Sequence, residues 1–251
     1  MSGPRSFELA AVDGKLIRGD RAEGSGRQIL FITGFLSRRW GNKSKALSQW
    51  CQEKGWGFCC YDVRGFGDSE GRFTDYTLSD WLADARTVIT TLQGGLPLTI
   101  VGNSLGGWIA WLMAKEFQEI ERLILIAPAF NMMGVRAQSI SPERRHEWRR
   151  AGWMPWDDEL GHKDWPLSWK WVEESEAYWN TTFDKIRPVK TTILHGLQDT
   201  VILPKGSKKF VEQLLARNPA YPIELDLIHG DHRLSGPEHV ERFHRLVHEV
   251  P

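Results

Sequence analysis

One serine lies in a setting typical of a nucleophile. The apolar run 98–101 is followed by Gly102-Asn103-Ser104-Leu105-Gly106, and a helical pattern begins directly after it. The pattern Gly-x-Ser-x-Gly between a strand and a helix is a nucleophile elbow, whose strained turn lifts the serine hydroxyl clear of the sheet. Side chains at the two glycine positions would collide with the neighbouring strand or helix. The motif predicts Ser104 as a nucleophile; a glycine-rich connection with an idle serine is the alternative.

Ser104 needs a general base, and the sequence offers eight histidines. Only a histidine on a loop at the carboxyl end of a strand can reach the elbow. His232 follows the last predicted strand, so we predict it as the base, with His229 as the alternative. His195 is expected to be a packed residue at a strand end. The other histidines are expected on cap or helix surfaces: His146, His162, His239, His244 and His248.

The base in turn needs a carboxylate that fixes its tautomer and stabilises the imidazolium. Asp199 follows the preceding predicted strand and is therefore placed beside His232. The segment after the strand ending at Ile126 reads Ala-Pro-Ala and offers no carboxylate, which favours Asp199. Asp231 is expected to point elsewhere, and Asp226 to be structural.

The predicted chemistry is acyl transfer. His232 takes the proton of Ser104, the serine attacks a carbonyl carbon, and water activated by His232 releases the acyl-enzyme. The backbone N–H groups of Leu105 and Phe35 are expected to bind the oxyanion, because Phe35 lies in the loop after a buried strand. This chemistry requires neither a metal nor an organic cofactor.

The elements that must position these residues alternate between strand and helix. Strand patterns at 28–33, 57–62, 98–103, 120–126, 191–196 and 223–228 are separated by helical patterns at 44–54, 78–92, 105–117 and 207–215, and a helix at 236–249 closes the chain. A hairpin around Asp13-Gly14 adds an antiparallel pair at one edge. Such alternation is typical of the α/β class. We therefore predict a mostly parallel eight-stranded sheet with helices on both faces.

The alternation breaks between residues 130 and 185. This segment contains no strand-like run, holds seven of the 13 tryptophans and is cut by prolines, so we predict a helical cap inserted into a core of residues 1–129 and 186–251. Trp153, Trp156 and Trp108 are the candidate substrate-binding residues. Whether the tryptophans bind an apolar acyl group or only build the cap's own core is left open.

Charged side chains of the cap form a separate group. Arginines and acids are mixed there, which indicates a solvated face or a site for a charged leaving group: Arg144, Arg145, Arg149 and Arg150 against Asp157, Asp158 and Glu159.

Composition excludes several classes of function. Lys and Arg together number 32, as do Asp and Glu, and this zero net charge argues against a nucleic-acid partner. No apolar run approaches the ~20 residues of a membrane span. Because residues 1–8 contain no apolar region, we expect neither a secretory signal nor a transit peptide. Three cysteines without metal spacing are expected to be reduced and structural, as in a cytoplasmic protein: Cys51, Cys59 and Cys60.

These motifs together resemble the α/β-hydrolase-domain serine hydrolases over nearly the whole chain. The narrower resemblance is to the group that includes the mitochondrial palmitoyl-protein thioesterase of this fold. It rests on four motifs: Phe31-x-x-Gly34-Phe35-Leu36-Ser37 with Gly41, Ser104-Leu105-Gly106-Gly107-Trp108, His195-Gly196-x-x-Asp199, and Asp231-His232-Arg233. The resemblance implies the α/β-hydrolase fold and esterase or thioesterase activity on a small acyl substrate.

Three functions are therefore carried forward. The first is a carboxylesterase or acyl-thioesterase that acts through Ser104, Asp199 and His232. The second is a ligand-binding protein on a hydrolase scaffold without turnover. The third is an aminopeptidase for small peptides, which would need an acidic anchor such as the cap acids. The chain length of the acyl group, the choice between ester and thioester, and the oligomeric state do not follow from the sequence.

Overall fold

The structure is a computed structural model that describes residues 3–92, 95–156 and 165–248. Ten strands lie in these ranges: β1 (Arg5–Ala10), β2 (Leu16–Ala22), β3 (Gln28–Ile32), β4 (Gly57–Tyr61), β5 (Leu98–Asn103), β6 (Ile120–Ile126), β7 (Trp153–Trp156), β8 (Trp165–Ser168), β9 (Lys190–Gly196) and β10 (Ile223–Ile228). The same ranges hold eight α-helices: α1 (Asn42–Lys54), α2 (Leu78–Leu92), α3 (Leu105–Met113), α4 (Met132–Ser139), α5 (Pro142–Ala151), α6 (Trp169–Asn180), α7 (Pro204–Arg217) and α8 (Pro237–His248).

Eight of the strands form one sheet in the order β1-β2-β4-β3-β5-β6-β9-β10. The pairs β1–β2 and β2–β4 are antiparallel, and every other neighbouring pair is parallel. The predicted mostly parallel eight-stranded sheet is therefore confirmed. Strands β3, β5, β6, β9 and β10 all end at one edge, so the loops that follow them meet there.

Helices cover both faces of the sheet. Leu47 of α1 and Phe243 of α8 belong to one buried cluster, whereas α2, α3 and α7 contribute to the other. Successive residues of a strand point to opposite faces, and Cys59 and Cys60 of β4 accordingly lie in different clusters. The central strands are buried on both faces, which explains why they read as continuous apolar runs.

The chain leaves the sheet after β6 and returns at β9. The prediction of a purely helical segment was wrong, because β7 and β8 form an antiparallel two-stranded sheet between α5 and α6. These strands are only four residues long and contain Pro155 and Pro166, which pair with each other, so no alternating pattern marks them in the sequence. Predicted residues Asp157, Asp158, Glu159 and His162 lie outside the described residues.

Helix ends differ from the sequence patterns by a few residues. Helix α3 ends at Met113 rather than near Phe117, because Lys115 and Glu116 donate to the carbonyls three residues earlier and tighten the last turn. Helix α1 ends as predicted at Gly55, which adopts the left-handed conformation at φ 73°. Residues Gly94 and Glu249, placed at two predicted helix ends, lie outside the described residues. Among the helices of the described ranges, none combines the length and apolarity needed to cross a bilayer.

The cysteine thiols give a test of this packing. All three are free and at most 1% exposed, and burial raises the pKa of Cys51 and Cys59 to about 12 and also raises that of Cys60. Because the thiolate is the reactive form, we expect no thiol to react with an aromatic disulfide reagent at pH 8 in the folded protein. Three should react after unfolding in guanidinium chloride. Rapid reaction of any thiol in the native state would contradict the described packing.

Candidate active site

The turn between β5 and α3 presents Ser104. The serine has φ 53° and ψ −118°, a backbone conformation that is strained for a residue with a side chain. Its N–H donates to the carbonyl of Ile126 at 2.8 Å, which ties the turn to the end of β6. A Cβ at Gly106 would lie 2.2 Å from the carbonyl oxygen of Ile32, and one at Gly102 would lie 2.4 Å from that of Gly106. Only glycine therefore allows α3 to begin so close to the strands.

The three side chains predicted to react together lie in one hydrogen-bonded chain. The Nε2 atom of His232 lies 3.1 Å from Ser104 Oγ, and its Nδ1 atom lies 2.7 Å from Asp199 Oδ2. The exposed fractions are 6% for Ser104, 2% for Asp199 and 8% for His232. The alternative base His229 is exposed, whereas His232 holds the hydrogen bond to Ser104. The arrangement can pass a proton from the serine hydroxyl to an imidazole whose other nitrogen faces a carboxylate.

The loop that carries His232 is shaped by the neighbouring aspartate. Asp231 Oδ1 accepts the N–H groups of Arg233 and Leu234 at 3.0 and 3.1 Å, so this carboxylate closes its own turn. Lys43 of α1 donates its ammonium to the carbonyl of Arg233. Asp226, the other nearby acid, pairs with Arg242 at 2.6 Å. Both acids thus act in the local structure, as predicted.

The carboxylate of Asp199 is surrounded by donors. Oδ1 accepts the backbone N–H groups of Val201 and Ile202 at 2.9 and 2.8 Å. Burial by itself would raise the pKa of Asp199, but hydrogen bonds from His195 and His232 outweigh it and hold that pKa well below its usual value. Asp199 therefore remains ionised throughout the neutral range and can stabilise a positive charge on the imidazole.

His195 has a larger role than the sequence predicted. It is fully buried at the end of β9, as expected, but its Nε2 atom lies 3.1 Å from Asp199 Oδ2. The same nitrogen lies 2.7 Å from the carbonyl oxygen of Ile202, and Nδ1 lies 2.8 Å from Ser207 Oγ. Sequence reasoning missed this contact, although the spacing His195-Gly-x-x-Asp199 around the end of one strand was the available signal.

The loop after β3 lies directly against Ser104. A Cβ at Gly34 would stand 3.0 Å from Ser104 Cβ, so the backbone that leads into Phe35 passes close to the serine. Leu105 is the first residue of α3, and the first N–H groups of a helix have no partner within the helix. The predicted oxyanion donors, the N–H groups of Phe35 and Leu105, therefore belong to segments that flank Ser104.

A largely buried cation, with 12% of its side chain exposed, holds this loop in place. Arg39 bonds to Asp20 at 2.6 Å, to Asp62 at 2.5 Å and to Asp68 at 2.8 Å, and its own backbone N–H donates to Asp62 Oδ1. The indole of Trp40 adds a hydrogen bond to Asp20 at 2.7 Å. Burial tends to raise the pKa of Asp20, but the donors from Arg39, Ser6 and Trp40 lower it overall. These contacts anchor the chain four residues beyond Phe35.

The candidate substrate-binding tryptophans occupy three different environments. Trp156 of β7 packs on the ring of Phe35 at a centroid distance of 5.5 Å, so it lies against the loop beside Ser104. Trp153 of the same strand is 55% exposed. Trp108 is completely buried within α3 as part of the core, which removes it from any open surface. Trp171 of α6 packs on Phe35 at 5.0 Å, a contact that the sequence did not single out.

The ring nitrogens around Asp199 are all engaged in hydrogen bonds to the protein. The rings of His195 and His232 pair with carboxylate, carbonyl or hydroxyl oxygens. Within the ranges that the structure describes, no group of three or more potential ligands is arranged to hold a metal ion. The described geometry is that of a proton-transfer chain ending at a serine hydroxyl.

Comparisons with known proteins agree with this architecture. The family described as "Serine aminopeptidase, S33" matches residues 28–154. The mitochondrial palmitoyl-protein thioesterase ABHD10 of Bos taurus is 25% identical over 221 residues, which cover 85% of this chain and 69% of the relative.

Solved structures share the fold over almost the entire chain. A putative hydrolase from Agrobacterium vitis S4 superposes with a TM-score of 0.86 at 23% identity and covers 98% of both chains. The mouse α/β-hydrolase domain-containing protein 10 superposes with a TM-score of 0.82 at 22% identity, again over 98% of both chains. At these identities the superpositions establish the α/β-hydrolase fold.

Replacement of Arg39 tests the anchor of the loop after β3. Arg39→Met leaves Asp20 and Asp62 buried without their cation, and breaking a buried ion pair in this way costs about 3–5 kcal/mol. We expect that loss in the free energy of unfolding measured by urea denaturation. The control is Arg38→Met, because the Arg38 side chain is 75% exposed and its ion pair to Asp68 is long, at 3.8 Å. It should change the stability by no more than about 0.5 kcal/mol, and equal effects of the two variants would refute the assignment.

Proposed function

Because the chain belongs to the serine aminopeptidase S33 family of α/β hydrolases, we propose that it is a serine hydrolase that cleaves carboxylic esters or thioesters of apolar acyl groups. The observation that carries this proposal is the contact of His232 with both Ser104 Oγ and Asp199 Oδ2, at 3.1 and 2.7 Å. Those distances are within the range needed for general-base catalysis. The relative with thioesterase in its name supports the choice of acyl transfer.

In the proposed reaction, His232 Nε2 removes the proton of Ser104 as Oγ attacks the acyl carbonyl carbon. Asp199 stabilises the imidazolium through Nδ1–H without taking the proton itself, because its pKa is held low. His232 then protonates the leaving alcohol or thiol, and the acyl group remains on Ser104. A water molecule, deprotonated by His232, attacks the acyl-enzyme and regenerates the serine.

The oxyanion of each tetrahedral intermediate would be bound by the N–H groups of Leu105 and Phe35. One such donor contributes about 3 kcal/mol of transition-state stabilisation. The position of α3 favours this role further, because the N-terminus of a helix carries partial positive charge. Arg39 and its carboxylates support the second donor by fixing the loop.

An apolar acyl group fits the aromatic surroundings of Phe35. Its ring packs on Phe66, Phe73, Trp81, Trp156 and Trp171 at centroid distances of 5.0 to 6.3 Å. Each methylene group buried against such rings contributes about 0.8 kcal/mol. We therefore propose that Trp156, which is half-buried at the edge of this group, contacts the acyl chain.

Aminopeptidase activity is the second candidate, favoured by the description of the matching family. A free amino terminus would need an acidic anchor near Ser104. The cap acids considered for that role, Asp157, Asp158 and Glu159, lie outside the described residues. Amino-acid p-nitroanilides assayed beside acyl esters distinguish the two activities directly.

The nucleophile is tested by Ser104→Ala. This variant should lose at least about 10⁴-fold in kcat on p-nitrophenyl butyrate, because loss of a nucleophile that acts with its base removes most of the catalysis. The folded state should persist, as measured by circular dichroism and thermal unfolding. A fluorophosphonate probe should label the wild-type protein once and leave the variant unlabelled.

Ser25→Ala is the matched control, because Ser25 is exposed in the loop before β3, at the end of that strand opposite Phe35. It should retain wild-type turnover and labelling. Turnover retained by Ser104→Ala would refute the serine mechanism. A wild-type protein that neither turns over nor labels, but is stabilised by a fatty acid on heating, would favour the ligand-binding alternative.

The proposed contact of Trp156 with the acyl chain is tested with a panel of oxygen and sulfur esters of increasing acyl length. Trp156→Ala should raise KM for the longer acyl groups by about tenfold relative to acetyl esters, because a large apolar contact is lost. Trp153→Ala is the control, since that side chain is 55% exposed on the same strand. An unchanged chain-length profile in Trp156→Ala would exclude Trp156 from acyl binding.

A further inference from the structure

Asp199 faces two histidines, of which the proposed mechanism uses only one. His195 and His232 both place a ring nitrogen on Oδ2, at 3.1 and 2.7 Å. Together with the two backbone N–H groups on Oδ1, the carboxylate receives four donors. This number saturates the acceptor positions of an ionised carboxylate.

The protonation state of His195 follows from its partners. Nε2 faces two acceptors, the carbonyl oxygen of Ile202 at 2.7 Å and the carboxylate of Asp199, so it must carry a proton. Nδ1 faces the hydroxyl of Ser207 at 2.8 Å, which is able to donate to it. A neutral ring with its proton on Nε2 therefore satisfies every group, and the two acceptors at Nε2 select this tautomer.

We propose that His195 is a positioning residue that acts through Asp199: its shared Nε2–H holds the carboxylate in the orientation that His232 requires and takes up part of the charge on Oδ2. This role rests on the proposed function, because it concerns the same acid and base. The hydrogen bonds of the His195 ring within the described residues go to Ser207, Asp199 and Ile202. The chain Ser207–His195–Asp199–His232–Ser104 thus extends beyond the three groups that react.

Two consequences follow for a variant without the Nε2–H. The carboxylate is free to rotate about its side-chain bonds, so the base spends less time in a reactive geometry and kcat falls. In addition, more negative charge on Oδ2 faces His232, which favours the protonated imidazole. The acid limb of the pH profile should then move to higher pH.

The experiment compares His195→Leu with His195→Gln. Leucine removes the donor, and we expect kcat to fall about tenfold with KM little changed, because a hydrogen bond to a charged group is lost. The acid limb of kcat/KM should move up by about half a pH unit. Glutamine places an N–H close to the position of Nε2 and should recover most of the loss.

Leu194→Ala is the control for a merely structural effect. Leu194 precedes His195 on β9, is 1% exposed and belongs to the cluster on the other face of the sheet. It should lower the melting temperature without moving the acid limb. If His195→Leu lowers only the melting temperature, or if glutamine rescues nothing, the proposal is overturned.

A second readout does not depend on turnover. The proton on His232 Nδ1, shared with Asp199, gives a downfield signal in the proton NMR spectrum, assigned by its loss in His232→Gln. It should move further downfield in His195→Leu and return towards the wild-type position in His195→Gln; an unmoved signal contradicts the proposal. If the wild-type protein hydrolyses no ester, this measurement still decides the role of His195.

A second substitution keeps the proposal testable if His195→Leu does not fold. If His195→Leu does not fold, the double variant with Ser207→Ala removes the hydroxyl that leucine leaves without its partner. The double variant is read by the same pH profile and the same proton signal, with the same expected directions.

Discussion

The close approach of α3 to the strands beneath it determines most of the site. Gly106 faces the backbone of Ile32, and Gly102 faces the first turn of α3, each at a distance that a Cβ would not tolerate. The helix can therefore start directly above β5, and the chain reaches it only through a turn that forces Ser104 to a positive φ. All nine residues of α3 are buried, so the surrounding packing sustains that strain. The same contact brings the loop after β3 beside Ser104, so the proposed nucleophile and the proposed oxyanion donor of Phe35 are positioned together.

Buried charge fixes the remaining loops at this edge of the sheet. An ionised carboxylate away from water is costly unless donors surround it, and Asp62 and Asp199 are both at most 2% exposed. Asp62 accepts from Arg39 and the N–H of Asp68, and Asp199 accepts from two histidines and two backbone N–H groups. Alternative loop conformations would leave these charges without partners. Electrostatics therefore has a structural effect here as well as a chemical one, because the groups that tune Asp199 also hold it still.

The segment between β6 and β9 is coupled to the loop after β3 by aromatic packing. Trp156 and Trp171 contact Phe35, and Glu174 of α6 accepts the backbone N–H of Ser79 at the start of α2. These contacts come from both the two-stranded sheet and a helix of the insertion. Hence a change in the insertion would be felt at the loop beside Ser104 without passing through the central sheet. Trp148 and Trp171 are core residues, whereas Trp156 packs on Phe35 in the loop beside Ser104, so a role of Trp156 in acyl binding is a proposal.

Local sequence alone determined the order of strands and helices in the eight-stranded sheet and the helices that cover it, because hydrophobic periodicity and glycine placement act over a few residues; the bounds of α2 and β6 agree with their patterns to the residue. It also predicted that Ser104, Asp199 and His232 lie on loops at one edge of the sheet, since parallel strands end there. The pairing β7–β8, the clamp of Arg39 and the burial of Trp108 were decided only by the tertiary structure. The contact of His195 with Asp199 was also decided only by the tertiary structure. These features depend on which side chains and strands come into contact in the folded chain, and such contacts produce no periodic pattern in the sequence.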